Sequence, residues 1–183
     1  MTLTKLNTEE LVERCRKCDQ GAQMEIYNRY YKAMYNSALR IIKDTAEAED
    51  VMQEAFLTAF TKLSMLEENK LFGAWLKKIV INSSLTISRK RNIHGEVPLE
   101  TVAYALTDET EGVVREDLTS VRANTVLNTL KDLKESYSTA LSLHLIEGYD
   151  YEEICEILNI SYSNCRTLIS RAKESLRKKL LVA

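Results

Sequence analysis

Proline and glycine are scarce in this sequence, with one and five residues respectively in 183. A sheet with many tight turns draws heavily on both, so their scarcity argues against a β-rich fold and for long helices. Two histidines, no glycine-rich phosphate loop and no converging carboxylates leave nothing from which to build an enzyme active site. No catalytic residue, metal site or cofactor is expected. No apolar run approaches the roughly 18 residues that a membrane span needs, and the first residues lack a signal-peptide core. The expected setting is the cytoplasm, with no membrane insertion and four reduced cysteines. Cys15 and Cys18 form a C-x-x-C, but no second pair and no nearby histidine accompany them, so a zinc or redox role is disfavoured.

What the sequence does have is helical periodicity and segregated charge. Its 45% hydrophobic content is that of a globular protein. The net charge of −2 hides a strong pattern. From Ser161 to Ala183 there are six cations against Glu174 alone, and from Lys77 to Arg91 five cations and no acid. Between Gly95 and Leu118 lie seven acids against Arg115. Two basic helices flanking an acidic connector create local fields that matter more than the total.

The most telling stretch is Gly148–Lys179. A short amphipathic helix, Tyr151 to Leu158, meets a break at Asn159-Ile160, and a longer basic helix starts behind Ser161, a good N-cap. Two helices so joined describe a helix-turn-helix whose second member enters the DNA major groove. On that helix Cys165, Leu168, Ile169, Ala172 and Leu176 share the inward face. Ser163, Asn164, Arg166, Thr167, Ser170 and Arg171 are left outward, with Lys173, Arg177 and Lys178 suited to phosphate.

Upstream, Thr8 is expected to cap a first helix carrying Leu11, Val12 and Cys15. A second runs from about Ala22 to Ile42; its stripe Tyr27, Tyr30, Tyr31, Tyr35 reads as packing rather than a base-stacking platform. Asp44 starts a third, with Ala48, Val51, Met52, Ala55, Phe56, Ala59, Phe60 and Leu63 inward. Asp50, Gln53, Glu54 and Thr58 then face outward, a polar stripe suited to docking a partner. A polar break at Ser64 to Lys70 precedes a fourth helix burying Phe72, Trp75, Leu76, Ile79 and Val80. Periodicity fails from Asn92 to Val113 and resumes at Val114; Ser136 is expected to cap a further helix with Ala140, Leu141, Leu143, Leu145 and Ile146, stopped by Gly148. The fold class is all-α: two small helical domains, 1–91 and 114–183, joined by an acidic flexible linker over 92–113. The second is a four-helix domain containing the helix-turn-helix.

Three motifs in order carry a resemblance to the bacterial group IV, or extracytoplasmic-function, sigma factors of RNA polymerase. They are A-E-D-V-M-Q-E-A-F (Ala48 to Phe56), F-G-A-W-L-K-K-I-V-I-N (Phe72 to Asn82), and G-Y-D-Y-E-E-I-C-E-I-L-N-I-S followed by R-x-x-x-x-R-A-K (Arg166 to Lys173). The resemblance implies a non-enzymatic protein whose partners are the RNA polymerase core, promoter DNA and an anti-sigma factor. It implies core docking by Asp50, Gln53 and Glu54. Thr58, Leu66, Asn69, Lys70, Lys77, Lys78 and Asn82 would serve minus-ten recognition and melting, where a flipped base is captured. Ser163, Asn164, Arg166, Thr167, Ser170, Arg171 and Lys173 would serve the minus-thirty-five element. Where family members often carry Thr-Val-Lys-Ser-Arg, this chain has Asn164-Cys165-Arg166-Thr167-Leu168, and Glu67 and Glu68 bring negative charge to the melting loop. Read from the residues alone, a stand-alone helix-turn-helix transcription factor with an N-terminal sensing or dimerisation domain is the alternative.

Overall fold

A computed structural model describes residues 3–94 and 118–181. The described residues are helical, without strands, and the chain separates into two compact units, Met1–Glu96 and Val97–Ala183. From residue 95 the expected acidic linker lies outside the described residues.

The first unit holds four helices: α1 (Thr8–Arg16), α2 (Gln20–Ile42), α3 (Thr45–Thr61) and α4 (Phe72–His94). The cap of α1 is Asn7, not Thr8. The Asn7 side chain accepts from the Glu10 N–H at 2.8 Å while the Glu10 carboxylate accepts from the Asn7 N–H at 3.0 Å, a reciprocal capping box. Asp19 and Asp44 cap α2 and α3 one way only, their side chains accepting from the Ala22 N–H at 3.1 Å and the Glu47 N–H at 2.9 Å. Cys18 and Lys43, at φ 60° and 61°, turn the chain after α1 and α2. α2 packs against α1, α3 and α4, and the core between them is built from Leu11, Val12, Ile26, Met34, Met52, Phe56, Phe72, Leu76 and Val80. Burying one such side chain contributes roughly 1.5–3 kcal/mol.

Phe60, Trp75 and Ile79 sit half-buried at the rim of this core, not inside it as the periodicity suggests. The tyrosine stripe is packing: Tyr27 lies 4.8 Å from Phe56, Tyr30 meets Phe72 edge-on at 5.7 Å, and the exposed Tyr31 stacks on Tyr27 at 5.8 Å. Gly73 lets α4 close on α2, since a Cβ there would fall 2.9 Å from Tyr30 Cε1. Arg91 has an internal duty. Its Nη1 donates to the Ile42 carbonyl at 2.9 Å, and Nη2 lies 3.3 Å from Glu47 and 3.9 Å from Asp44. It thereby ties the end of α4 to the α2–α3 corner, so the basic run it belongs to is not wholly available to phosphates.

The second unit comprises α5 (Leu118–Lys131), α6 (Glu135–Leu141), a π-helical turn (Ser142–Ile146), α7 (Tyr151–Leu158) and α8 (Tyr162–Leu180). α6 begins after Lys134, and Ser136 is exposed within its first turn rather than capping it. The π turn is closed by the Glu147 N–H donating to the Ser142 carbonyl at 3.0 Å. This wide turn rotates Leu145 outward, to 50% exposure, and leaves Ile146 half-buried, where simple periodicity puts both inside. Gly148, at φ +83°, ends it as expected. The core is Leu130, Leu133, Ala140, Leu141, Leu143, Ile154, Cys165, Ile169, Ala172 and Leu176. Asp150 and Glu153 form a second capping box at α7. Asn159, at φ 55°, stops α7, and the Ser161 hydroxyl accepts from the Asn164 N–H at 3.3 Å to start α8.

Candidate nucleic-acid interface

α8 is held from behind. Cys165, Ile169 and Ala172 are fully buried and Leu176 nearly so, while Leu168, expected inward with them, is half-buried. The Cys165 thiol lies 3.7 Å from the Tyr151 carbonyl and against the Cys155 thiol; burial first, then that neighbour, pushes its pKa up to about 11. At neutral pH it is a small apolar filler between α7 and α8. Lys179 Nζ donates to the Asp132 carbonyl at 2.8 Å and pins the far end of the helix.

On the opposite side, Ser163, Asn164, Arg166, Thr167, Ser170 and Arg171 are all exposed, and Lys173 is half-buried at the edge. The Thr167 hydroxyl donates to the Ser163 carbonyl at 2.9 Å, which leaves it acceptor capacity outward. Lys178 is engaged by Glu174 at 2.8 Å; their hydrogen bond raises the lysine pKa and lowers that of the glutamate. Tyr162, at the head of α8, is 53% exposed and lies 6.3 Å from Tyr151, which in turn lies 5.1 Å from His144. The outward set read from the sequence, which starts at Ser163, leaves Tyr162 out because an aromatic residue counts as core in a periodicity reading.

In the first unit the break between α3 and α4 forms two 3₁₀ turns, Leu63–Met65 and Asn69–Leu71. With α1 it encloses an open cleft of about 700 Å³ lined by Glu9, Glu13, Arg16, Leu66, Glu67, Glu68, Asn69 and Lys70. The expectation for Leu66 needs correction. Leu66 is 5% exposed and joins the core; the neighbouring Met65 and Leu71 are the apolar side chains presented outward, at 70% and 48% exposure. Asn69 is half-buried and bonded to Arg16, and Lys70 pairs with Glu68 at 2.6 Å. Thr58, Lys77, Lys78 and Asn82 lie outside the cleft's lining. Lys78, Asn82, Thr86 and Arg89 instead follow one exposed face of α4, while Thr58 and Lys77 are half-buried.

On α3, Asp50, Gln53 and Glu54 are exposed opposite the buried Val51, Met52 and Ala55. Leu57, 69% exposed and one turn on, adds an apolar group to that stripe that the sequence reading left out. No group of three metal-binding side chains occurs among the described residues. In the C-x-x-C, Cys15 is buried and Cys18 exposed, and burial, with Asp19 second, pushes the Cys15 pKa up to about 11. A thiol so reluctant to ionise is a poor metal ligand or nucleophile. Among the described residues no helix is long and apolar enough to cross a membrane.

Each unit contains a segment that matches a known protein family. The Sigma-70 region 2 family matches residues 26–93, and the Sigma-70, region 4 family matches residues 123–176. The ECF RNA polymerase sigma factor SigW of Bacillus subtilis is 32% identical over 92% of this chain and 94% of its own length. The chain belongs to the extracytoplasmic-function sigma factors. A further relative of this sigma factor, the RNA polymerase sigma-H factor of Pseudomonas aeruginosa, is 30% identical over 97% of this chain and 96% of that one. The same fold occurs in the co-crystal structure of the sigma factor RpoE with the anti-sigma factor NepR from Bartonella quintana, with a TM-score of 0.61, 23% identity and coverage of 87% and 96% of the two chains. It occurs also in CnrH, solved in complex with the cytosolic domain of CnrY, with a TM-score of 0.58, 20% identity and coverage of 96% and 97%. Membership places this sigma factor among the proteins that bring RNA polymerase to promoter DNA and start transcription, and favours that reading over a stand-alone factor.

Proposed function

We propose that this sigma factor grips its promoter at two places and the polymerase core at a third. The unit ending near residue 91 docks the core through Asp50, Gln53, Glu54 and Leu57 and meets the minus-ten element through the α3–α4 loop and the exposed face of α4. The unit from residue 114 reads the minus-thirty-five element with α8. Asn164, Arg166, Thr167 and Arg171 contact bases, Ser163 and Ser170 flank them, and Lys173 holds phosphate. Each element alone is small, so core polymerase makes the binding multivalent and raises the effective concentration of the second contact once the first is made. The work is binding rather than catalysis, and it takes place in the bacterial cytoplasm. An anti-sigma factor restrains it, a reading supported by the RpoE–NepR complex.

The observation that carries this reading is the face of α8: Arg166 and Arg171 are exposed with no partner among the described residues, on a helix whose other side is buried. A guanidinium so presented can bond guanine bidentately, worth about 1–3 kcal/mol of discrimination against a wrong base. The test is run-off transcription on a genomic library with purified bacterial core and this chain, followed by the Arg166→Ala and Arg171→Ala variants. Start sites sharing an upstream element are expected, with about tenfold weaker discrimination at one or two of its positions in each variant. Unchanged preference in both variants would overturn base reading by α8.

A further inference from the structure

The cleft beside the α3–α4 loop has one wall that the region 2 match does not include: that match begins at residue 26, and α1 ends at Arg16. The loop is not held by regular helix. Its two 3₁₀ turns each close locally, Met65 N–H to the Lys62 carbonyl at 2.9 Å and Leu71 N–H to the Glu68 carbonyl at 2.9 Å. Between them the backbone is extended at Leu66 and Glu68. There Arg16 Nη2 donates to the Leu66 carbonyl at 2.6 Å, and the same nitrogen donates to Asn69 Oδ1 at 3.1 Å on the second turn. Asn69 Nδ2 in turn donates to the Glu9 carbonyl at 3.5 Å. One guanidinium nitrogen of α1 thus sets the two turns relative to each other.

The fold has other means of holding these elements. α1 is anchored by Leu11, Val12 and Cys15, and the loop by Leu63, Leu66 and Phe72, all buried in the shared core. What depends on Arg16 is the shape of the short stretch between those anchors, the part that presents Glu67, Glu68, Asn69 and Lys70 to the cleft. Charge-assisted hydrogen bonds are stronger and more directional than neutral ones, so a single cation can fix such a stretch. We propose that Arg16 is a positioning residue for minus-ten recognition, acting through Asn69 and the Leu66 carbonyl to hold the loop in its reading shape. The inference rests on the loop being the minus-ten contact.

The experiment uses holoenzyme reconstituted from the full chain and bacterial core, on a promoter found by the run-off assay. Opening is followed by 2-aminopurine fluorescence on a set of single-base minus-ten variants. Arg16→Ala is expected to flatten minus-ten base preference about tenfold, the size of one lost charged hydrogen bond. Minus-thirty-five preference, core affinity and the Trp75 unfolding midpoint stay as in the wild type. Arg16→Lys regains part of the preference, because its ammonium carries donors enough for both acceptors. Unchanged minus-ten preference in Arg16→Ala, or a loss that merely tracks a fall in stability, overturns the proposal. Asn69→Ala and Lys70→Ala separate the two ideas. If they alter the preference and Arg16→Ala does not, the positioning role alone is wrong. If none of the three alters it, the loop is not the minus-ten contact and the positioning role falls with it.

Discussion

Replacing Gly73 by alanine sets two opposed effects against each other. In an exposed helix interior the change stabilises, because alanine is better than glycine by about 0.8–1.0 kcal/mol. Here the added Cβ falls 2.9 Å from Tyr30 Cε1, 3.3 Å from its Oη and 3.5 Å from its Cζ. Carbon atoms prefer a separation of about 3.5–4.0 Å, so the ring must retreat by roughly half an ångström or more. It is not free to do so, since it packs edge-on against Phe72 at 5.7 Å and its hydroxyl lies 3.4 Å from that of Thr8. Overpacking of this kind costs about 1–3 kcal/mol, and a displaced aromatic pair forfeits about 0.5–1.5 kcal/mol. The expected net is a destabilisation of about 2 kcal/mol. Trp75 is the sole tryptophan and lies in the same unit, 6.2 Å from Phe72, so its fluorescence in a urea titration reports this unit without the other. In a Tyr30→Leu background the same alanine should stabilise, recovering the propensity gain. A Gly73→Ala protein more stable than wild type would refute the close-approach argument.

Asp50→Arg with Glu54→Arg should abolish binding to polymerase core while the circular dichroism spectrum stays that of the wild type; retained affinity in a pull-down would sink the docking stripe. Leu66→Ala should lose roughly 2–4 kcal/mol of stability by Trp75 fluorescence, as a buried leucine does, whereas Met65→Ala should leave the midpoint within about 0.5 kcal/mol and slow promoter opening. In native thiol labelling at pH 8, Cys18 should react readily while Cys15 and Cys165 are protected. Both buried thiols have folded-state pKa values raised from 9.0 to about 11. Their contribution is therefore fully present below pH 9 and lost as pH rises toward 11, because the unfolded chain releases those protons first. Urea midpoints should fall across that window, and less steeply for Cys15→Ala when followed at Trp75.

The helices were legible where one face is buried over many turns. The inward sets of α3 and α8 follow from a 3.6-residue period that both helices keep with little interruption. Where they departed, at Phe60 and Leu168, the residue sits at the margin of the stripe, half in and half out. Local capping was nearly legible: Asn7 and Glu10 stand at the capping-box spacing, one residue ahead of Thr8. The loop was not. Family likeness proposes this segment for the minus-ten site but does not say which way each side chain points, and an extended Leu66 between two 3₁₀ turns faces the core. Nor does a sequence announce bonds such as Arg16 to Leu66 or Arg91 to Ile42, which close over 50 and 49 residues. Cations in a basic run look alike until their partners are known.

The π-helical turn at Ser142–Ile146 bears on how interchangeable such modules are. A turn of this kind holds one more residue than the α-turn it replaces, and each residue advances a helix by about 100°. Everything after it, including α7 and α8, is therefore phased to that additional residue. A chimera that grafts the helix-turn-helix of another sigma factor behind this α6 must match the residue count through the turn as well as the core residues. Removing one residue there would turn the grafted helix away from α6, against which α8 packs. If α8 reads the promoter as proposed, its specificity is portable only together with the irregular turn that precedes it.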